Sequence, residues 1–192
     1  MSHFSQWVFK VRFDMNINMK KLALVTASLI MAGGAMAQST ATGTGTSNAT
    51  VIAPITITPV NTLEFGNVVA GAGTVTIAPA GGRTDSVAAL SPGTQIGTVR
   101  AATFNVGGQG AFTYAITLPT AAVELKDSAA TPNTMSVSAF TVASGGTGTV
   151  SGSVGTLAGG AGNLNVGATL NVASLQVPGA YTGTYTVTVA YN

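Results

Sequence analysis

Glu124 and Asp127 stand three apart in the run VELKDS, with Lys126 between them. They are the residues of this chain whose types and spacing come nearest to doing chemistry. Two carboxylates flanking one sugar bond, one of them with a raised pKa, make a glycosidase pair. The same oxygens could begin a hard-cation site, which takes about six or more ligands. Neither carboxylate has an apolar run around it to raise its pKa or hold it rigidly. The segment therefore reads as a solvated turn between two strands, where charges ordinarily collect. Arg83 and Asp85 flank Thr84 just after a Pro/Gly turn and read as a loop ion pair. Glu64 lies between Leu63 and Phe65, and Arg100 beside Val99, so both should point to solvent while their neighbours point inward.

Nucleophilic catalysis finds no material. The only histidine is His3 and there is no cysteine. A Ser–His or Cys–His pair is therefore excluded once the N-terminal segment is removed, and so is a zinc site built on those ligands. The Gly-rich stretch SGGTGTVSGSVGTLAGGAGN (residues 144–163) has no lysine after it and no helix to follow, so it is not a phosphate loop but a floppy hairpin or edge. The expectation is no catalytic residue, no cofactor and no metal.

Composition agrees. Charged residues are 6% of the 192, against about 25% in ordinary soluble domains. Met19-Lys20-Lys21, the apolar run Leu22–Met31 and the sequence Ala35-Met36-Ala37 have the order of a secretory signal peptide. The apolar run falls well short of the roughly 20 residues that span a membrane. Residues 1–18 read as an upstream extension, 19–37 as the signal, 38–48 as a flexible lead and 49–192 as one domain. From Gln38 onward three basic residues face four acidic ones, and no charge occurs from Ser128 to Asn192. That excludes a nucleic-acid surface. It also leaves an exported protein that must hold together by core packing and sheet pairing alone.

The positioning elements are strands. Val51, Ala53, Ile55 and Ile57 share one parity, with Thr56 and Thr58 on the other. Val75 and Ile77 alternate with threonines, and Pro79-Ala80-Gly81-Gly82 stops them. Phe112, Tyr114, Ile116 and Leu118 alternate up to Pro119. Leu164, Val166, Ala168, Leu170 and Val172 alternate with Asn and Thr. Met135 and Val137 lie on one parity, Phe140 and Val142 on the other, which predicts a β-bulge near Ala139. Tyr181, Tyr185, Val187, Val189 and Tyr191 close the chain on one face, opposite Thr182, Thr184, Thr186 and Thr188. Period two with turn signals every 8–12 residues or so is the pattern of an antiparallel sandwich or barrel.

The segments ATVIAPITITPVNTLEFGNVVAG and YTGTYTVTVAYN, with GQGAFTYAITLP, NTMSVSAFTV and LNVGATLNV between them, resemble a family of small secreted bacterial proteins, the domain of unknown function numbered 4402. The resemblance covers about residues 49–192 and implies no activity. Leu63, Phe65 and Gly66, with the closing Gly183-Thr184-Tyr185 through Tyr191, are also similar to spore-coat-U-type and archaic chaperone–usher pilin subunits. That likeness implies an immunoglobulin-like, pilin-like antiparallel β-sandwich lacking a strand, which the N-terminal extension of the next subunit supplies.

The reading is an exported, all-β, non-enzymatic structural protein, a fimbria-like or surface-fibre subunit assembled by β-strand addition. Its partners would be other copies of itself or related subunits and a periplasmic chaperone. Its location would be the periplasm, the cell surface or the extracellular space. The strand-exchange residues would be Val51, Ala53, Ile55 and Ile57 on the donor side and Tyr185, Val187, Val189 and Tyr191 beside the acceptor edge. Residues 181–192 carry neither charge nor proline to protect such an edge. The alternative is a monomeric periplasmic or cell-surface binding module.

Overall fold

The computed structural model describes residues 40–87 and 97–192; the upstream extension and the signal segment lie outside the described residues. Residues 40–48 are exposed and carry no regular secondary structure. Residues Ala49–Asn192 form one unit.

The strands follow the sequence's period-two runs. They are β1 (Thr56–Asn61), β2 (Glu64–Phe65), β3 (Gly73–Ile77), β4 (Arg83–Asp85), β5 (Val99–Arg100), β6 (Ala102–Gly107) and β7 (Thr113–Thr117). Then come β8 (Val123–Lys126), β9 (Thr134–Ser144), β10 (Thr149–Ser151), β11 (Val154–Thr156), β12 (Ala161–Val172) and β13 (Thr188–Tyr191). Every pairing among them is antiparallel.

The 12-residue β12 organises the larger layer. β6 pairs with its first half and β3 with its second, while β9 runs along its other edge. β1, β4 and β8 extend this layer to seven strands. The change from β6 to β3 falls at Gly167, where a Cβ would run into the main chain of Ile77–Pro79 as β3 leaves the sheet. On β12 the alternation is complete: Leu164 and Val166 are 0% exposed and Ala168, Leu170 and Val172 buried, with Asn163, Asn165, Thr169 and Asn171 on the opposite face. Burying each large aliphatic side chain stabilises the fold by about 1.5–3 kcal/mol.

The second layer is in two pieces. β10, β11, β7 and β13 form one, in that order, and β2 with β5 form the other. Each covers its own half of the seven-stranded layer. Tyr114, Ile116 and Leu157 meet Val106 and Leu164 in one cluster, while Phe65 meets Val75, Ile77, Val137 and Leu170 in the other. The architecture is the all-β antiparallel sandwich that the sequence pattern predicts.

The bulge is where the parity change puts it. Thr169 opposes Ser138 and Gly167 opposes Thr141, so Ala139 and Phe140 together face Ala168. Ala139 takes φ 51°, the one non-glycine with positive φ among the described residues. Four local expectations change. Arg83–Asp85 is a strand, not a loop, and the Arg83 side chain is 6% exposed, because its guanidinium finds carbonyl partners. Residues 144–163 hold the ordered hairpin β10–β11 with Leu157 buried at its foot. Phe112 is 44% exposed, one residue before β7, and lies edge-on against Tyr191. The first strand begins at Thr56, so Val51 through Ile55 precede it.

Candidate functional site

A groove of about 1040 Å³ opens between the Thr62–Val68 segment that carries β2 and the Gln176–Tyr185 segment that precedes β13. Its floor is the inner face of β8, β9 and β12, with Leu125, Met135, Val137, Phe140, Leu170 and Val172. These residues alternate inward along their strands; Met135, Val137, Leu170 and Val172 are buried, and Leu125 and Phe140 half-buried. Phe140 reaches the floor because the bulge at Ala139 moves it onto the inward parity.

One wall is the Leu63–Val68 segment. The buried Arg83 guanidinium fixes it: Nη1 donates to the Phe65 carbonyl at 2.7 Å and to the Asn67 carbonyl at 3.1 Å. Nε donates to Asp85 at 2.7 Å, and Nη2 is buried without a partner among the described residues. Gly66, at φ 73°, makes the turn that brings both carbonyls to one side. Arg100 closes the same end, donating to Glu64 at 2.8 Å and to the Thr62 carbonyl at 3.3 Å.

The other wall runs from Gln176 to Gly183 and on to Tyr185. Gln176 Nε2 donates to the Thr134 carbonyl and to the Tyr181 hydroxyl, and that hydroxyl donates to the Val177 carbonyl at 2.7 Å. Thr182 and Lys126 exchange two main-chain hydrogen bonds, which pin this wall to the edge of β8. Gly183 is required there, since a Cβ would strike the Glu124 carbonyl and Leu125. Val69, Leu175 and Val177, 40%, 89% and 46% exposed, lie beside or on the walls and make the surroundings apolar.

From Gly183 to Val187 the main chain makes no hydrogen bond to another main-chain group among the described residues. The burial of these side chains still alternates, with Tyr185 and Val187 half-buried between exposed threonines. The cause lies on the neighbouring strand. β13 pairs with β7 in the register Thr188↔Thr117, so Thr186 would next face Pro119, which has no N–H to donate. Tyr185 packs against Phe140 at 5.0 Å between ring centroids and edge-on to Phe104 at 6.5 Å. Burial pushes its phenol up to about 12.

The residues expected to exchange strands are placed as follows. Val51 is 95% exposed. Ala53 is held at both ends, its N–H donating to Gln109 Oε1 at 3.2 Å and its carbonyl accepting from the Tyr191 hydroxyl at 3.0 Å. Ile55, Ile57, Val187, Val189 and Tyr191 pack together against the Tyr114–Leu164 cluster. Tyr185 alone of the eight lines the groove. β13 is an edge strand of its sheet.

Glu124 and Asp127 have separate partners. Glu124 and Lys126 are exposed and 3.7 Å from each other. Asp127 accepts from the main chain of Ala129 and Asn133 and from the Asn133 amide, and the Asn133 side-chain bond leads in holding its pKa below the usual value. Among the described residues no three His, Asp or Glu side chains gather as a metal site would require. No helix among them is long and apolar enough to cross a membrane, which says nothing of strands.

The profile of the family described as Domain of unknown function (DUF4402) matches residues 55–191. The chain belongs to this family. The DUF4402 match begins at Ile55, the first residue in chain order to pack against a core cluster, and ends at Tyr191, so both clusters and the whole groove lie within it. No curated protein matches the chain.

The groove residues Leu125, Met135, Phe140, Gln176 and Tyr181 were not marked as site residues by their sequence pattern. Parity says that they point inward, but not that the layer above them is divided. The one advance signal was Pro119, which limits how far β7 can pair.

Proposed function

We propose that this DUF4402 chain is an exported, non-enzymatic structural subunit of a surface fibre, joined to its neighbours by β-strand addition. The observation that carries this reading is the groove beside a stretch of main chain, Gly183–Val187, without sheet partners among the described residues. An extended segment from another chain would meet free N–H and C=O groups on this side and apolar floor residues beneath. Main-chain pairing would supply affinity and alternate side chains specificity. The signal-like segment before Gln38 supports export. The uncharged lead and the residues after it, exposed from Thr40 to Pro54, are the segment that a second copy would offer. A periplasmic chaperone would cover the groove before assembly.

The chain's lack of cysteine makes a direct test available. Val177→Cys lies at the groove and Thr46→Cys in the lead. Under mild oxidation the double variant should give a ladder of disulfide-linked multimers on a non-reducing gel, and either single variant should not. Electron microscopy of protein from native cells should show filaments. A monomer by size-exclusion chromatography, with no ladder and no filaments, would overturn the proposal and favour a monomeric binding module.

A further inference from the structure

Eight large apolar side chains are exposed among the described residues, and six of them gather at two places. Val51, Ile52 and Phe112 stand at the root of the lead. Phe112 packs edge-on against Tyr191, whose hydroxyl donates to the Ala53 carbonyl at 3.0 Å, so the ring lies beside the point where Val51 and Ile52 leave the domain. Val69, Leu175 and Val177 flank the groove. Val69 follows the Leu63–Val68 wall, and Leu175 and Val177 bracket Gln176 on the other. Residues 66–73, 107–113 and 172–183, which hold four of the six, contain no charge. Single exposed apolar side chains are ordinary, but groups of them mark contact sites.

The root of the lead has no slack. The Ala53 N–H donates to Gln109 Oε1 at 3.2 Å, and the Tyr191 hydroxyl that holds its carbonyl accepts from the Gln109 N–H at 2.6 Å. Two residues on, Ile55 packs against a core cluster. A lead inserted in a neighbour's groove as far as Asn48 is therefore joined to this clamp by residues 49–52 alone. Four residues span at most about 14 Å. Insertion of the strand carries the Val51–Ile52–Phe112 group of one copy to the rim of the next copy's groove.

We propose that the root group of one copy packs on the Val69–Leu175–Val177 rim of the next, as a second contact in the fibre. This inference rests on the strand-addition reading and names the surface that accompanies it. Two different patches that meet head to tail build an open chain rather than a closed dimer. Neither group brings an ion that must lose its water, and Phe112 supplies an aromatic anchor. Six partly exposed side chains fall short of the roughly 1,000 Å² of a stable interface, so the contact forms together with the inserted strand. It also gives the groove a means of choice, because a strand from an unrelated chain brings no root group.

Sedimentation of the full mature chain over a concentration series reads the assembly. Phe112→Lys alone and Leu175→Glu alone should each weaken it about tenfold, because each leaves one charge unpaired in an apolar contact. The two substitutions in one chain should restore most of the loss, because the new charges then face each other between copies. Val154→Lys, exposed on β11 and outside both groups, should change nothing. If a charged variant does not fold, Phe112→Cys combined with Leu175→Cys gives an independent reading. Oxidation should link that chain into multimers, and the combination of Thr117→Cys with Leu175→Cys should stay unlinked. An unsubstituted chain that assembles while both single charges leave it unchanged would overturn the proposal and leave strand addition standing. So would failure of the combined charges to recover assembly, or of the first cysteine pair to link copies. A mature chain that stays monomeric at every concentration would overturn strand addition and this contact with it.

Discussion

The Tyr191 hydroxyl lies 3.0 Å from the Ala53 carbonyl oxygen and donates to it, while accepting from the Gln109 N–H at 2.6 Å. One atom near the end of the chain thus ties down the segment before β1 and the turn after β6. The ring beneath it packs edge-on against Phe112 at 5.7 Å. Gly108 is necessary to the arrangement, because a Cβ there would collide with the Tyr191 hydroxyl.

Tyr191→Phe keeps the ring and removes both hydrogen bonds. The loss should be about 0.5–1.5 kcal/mol for each bond not replaced by water. Urea melts of the mature domain should show it as a lower midpoint with an unchanged slope. Amide exchange should quicken at Gln109 more than at Tyr114.

The parity of β7 gives a paired test of the core. Ile116 is 4% exposed and Thr117 faces solvent beside Thr188. Ile116→Ala should cost about 2–5 kcal/mol through lost burial and the cavity left behind. Thr117→Ala should stay within about 0.5 kcal/mol. Equal shifts in the two melts would contradict the assignment of faces.

How much of this could be read in advance depends on the range of the forces involved. The inward faces of β3, β7 and β12 were legible because each is a local alternation whose penalty for a one-residue slip is the exposure of every large side chain in the run. Arg83 was misread for the opposite reason. Its burial depends on the carbonyls of Phe65 and Asn67, 18 and 16 residues earlier, and no local pattern announces them. The groove is less legible still. It arises from strand order, since β13 pairs with β7 and β2 with β5 while no strand pairing among the described residues joins the two pieces. Period two gives the face of each strand but not its neighbours. Of the eight residues expected to exchange strands, most share one cluster, yet only Tyr185 lies in the space that a strand could enter.

Titration should separate two kinds of ionisable group. Hydrogen bonds from Asn133 and Ala129 lower the Asp127 pKa from its ordinary value of 3.8. The unfolded chain therefore binds the proton more readily, so Asp127 stabilises the fold above its unfolded pKa and loses that contribution as pH falls through the lower folded value. Tyr185 behaves in the opposite sense. Burial raises it from 10.0 to about 12, so its contribution is complete below the unfolded pKa and is lost as pH climbs from about 10 through about 12. Asp127→Asn should flatten the acid limb of a stability–pH profile, and Tyr185→Phe the alkaline limb. An unchanged limb in either variant would show that another group governs it.

Ala139 offers the sharpest test of the bulge. Its φ of 51° puts a residue with a Cβ in the left-handed region, at a position that is exposed and packs against nothing in either core cluster. An L-residue costs roughly 1–2 kcal/mol there. Glycine carries no such cost, although its unfolded chain is freer by about 0.4–1 kcal/mol. The balance favours Ala139→Gly by about 0.5 kcal/mol, with no packing lost. Ala139→Val should be destabilising, because branching at Cβ makes positive φ more costly still. If the parity change between Val137 and Phe140 came instead from a regular strand twisting at its end, Gly would weaken the strand and Val would strengthen it. The order of melting midpoints, Gly above Ala above Val or the reverse, therefore decides whether β9 is bulged at Ala139 in solution.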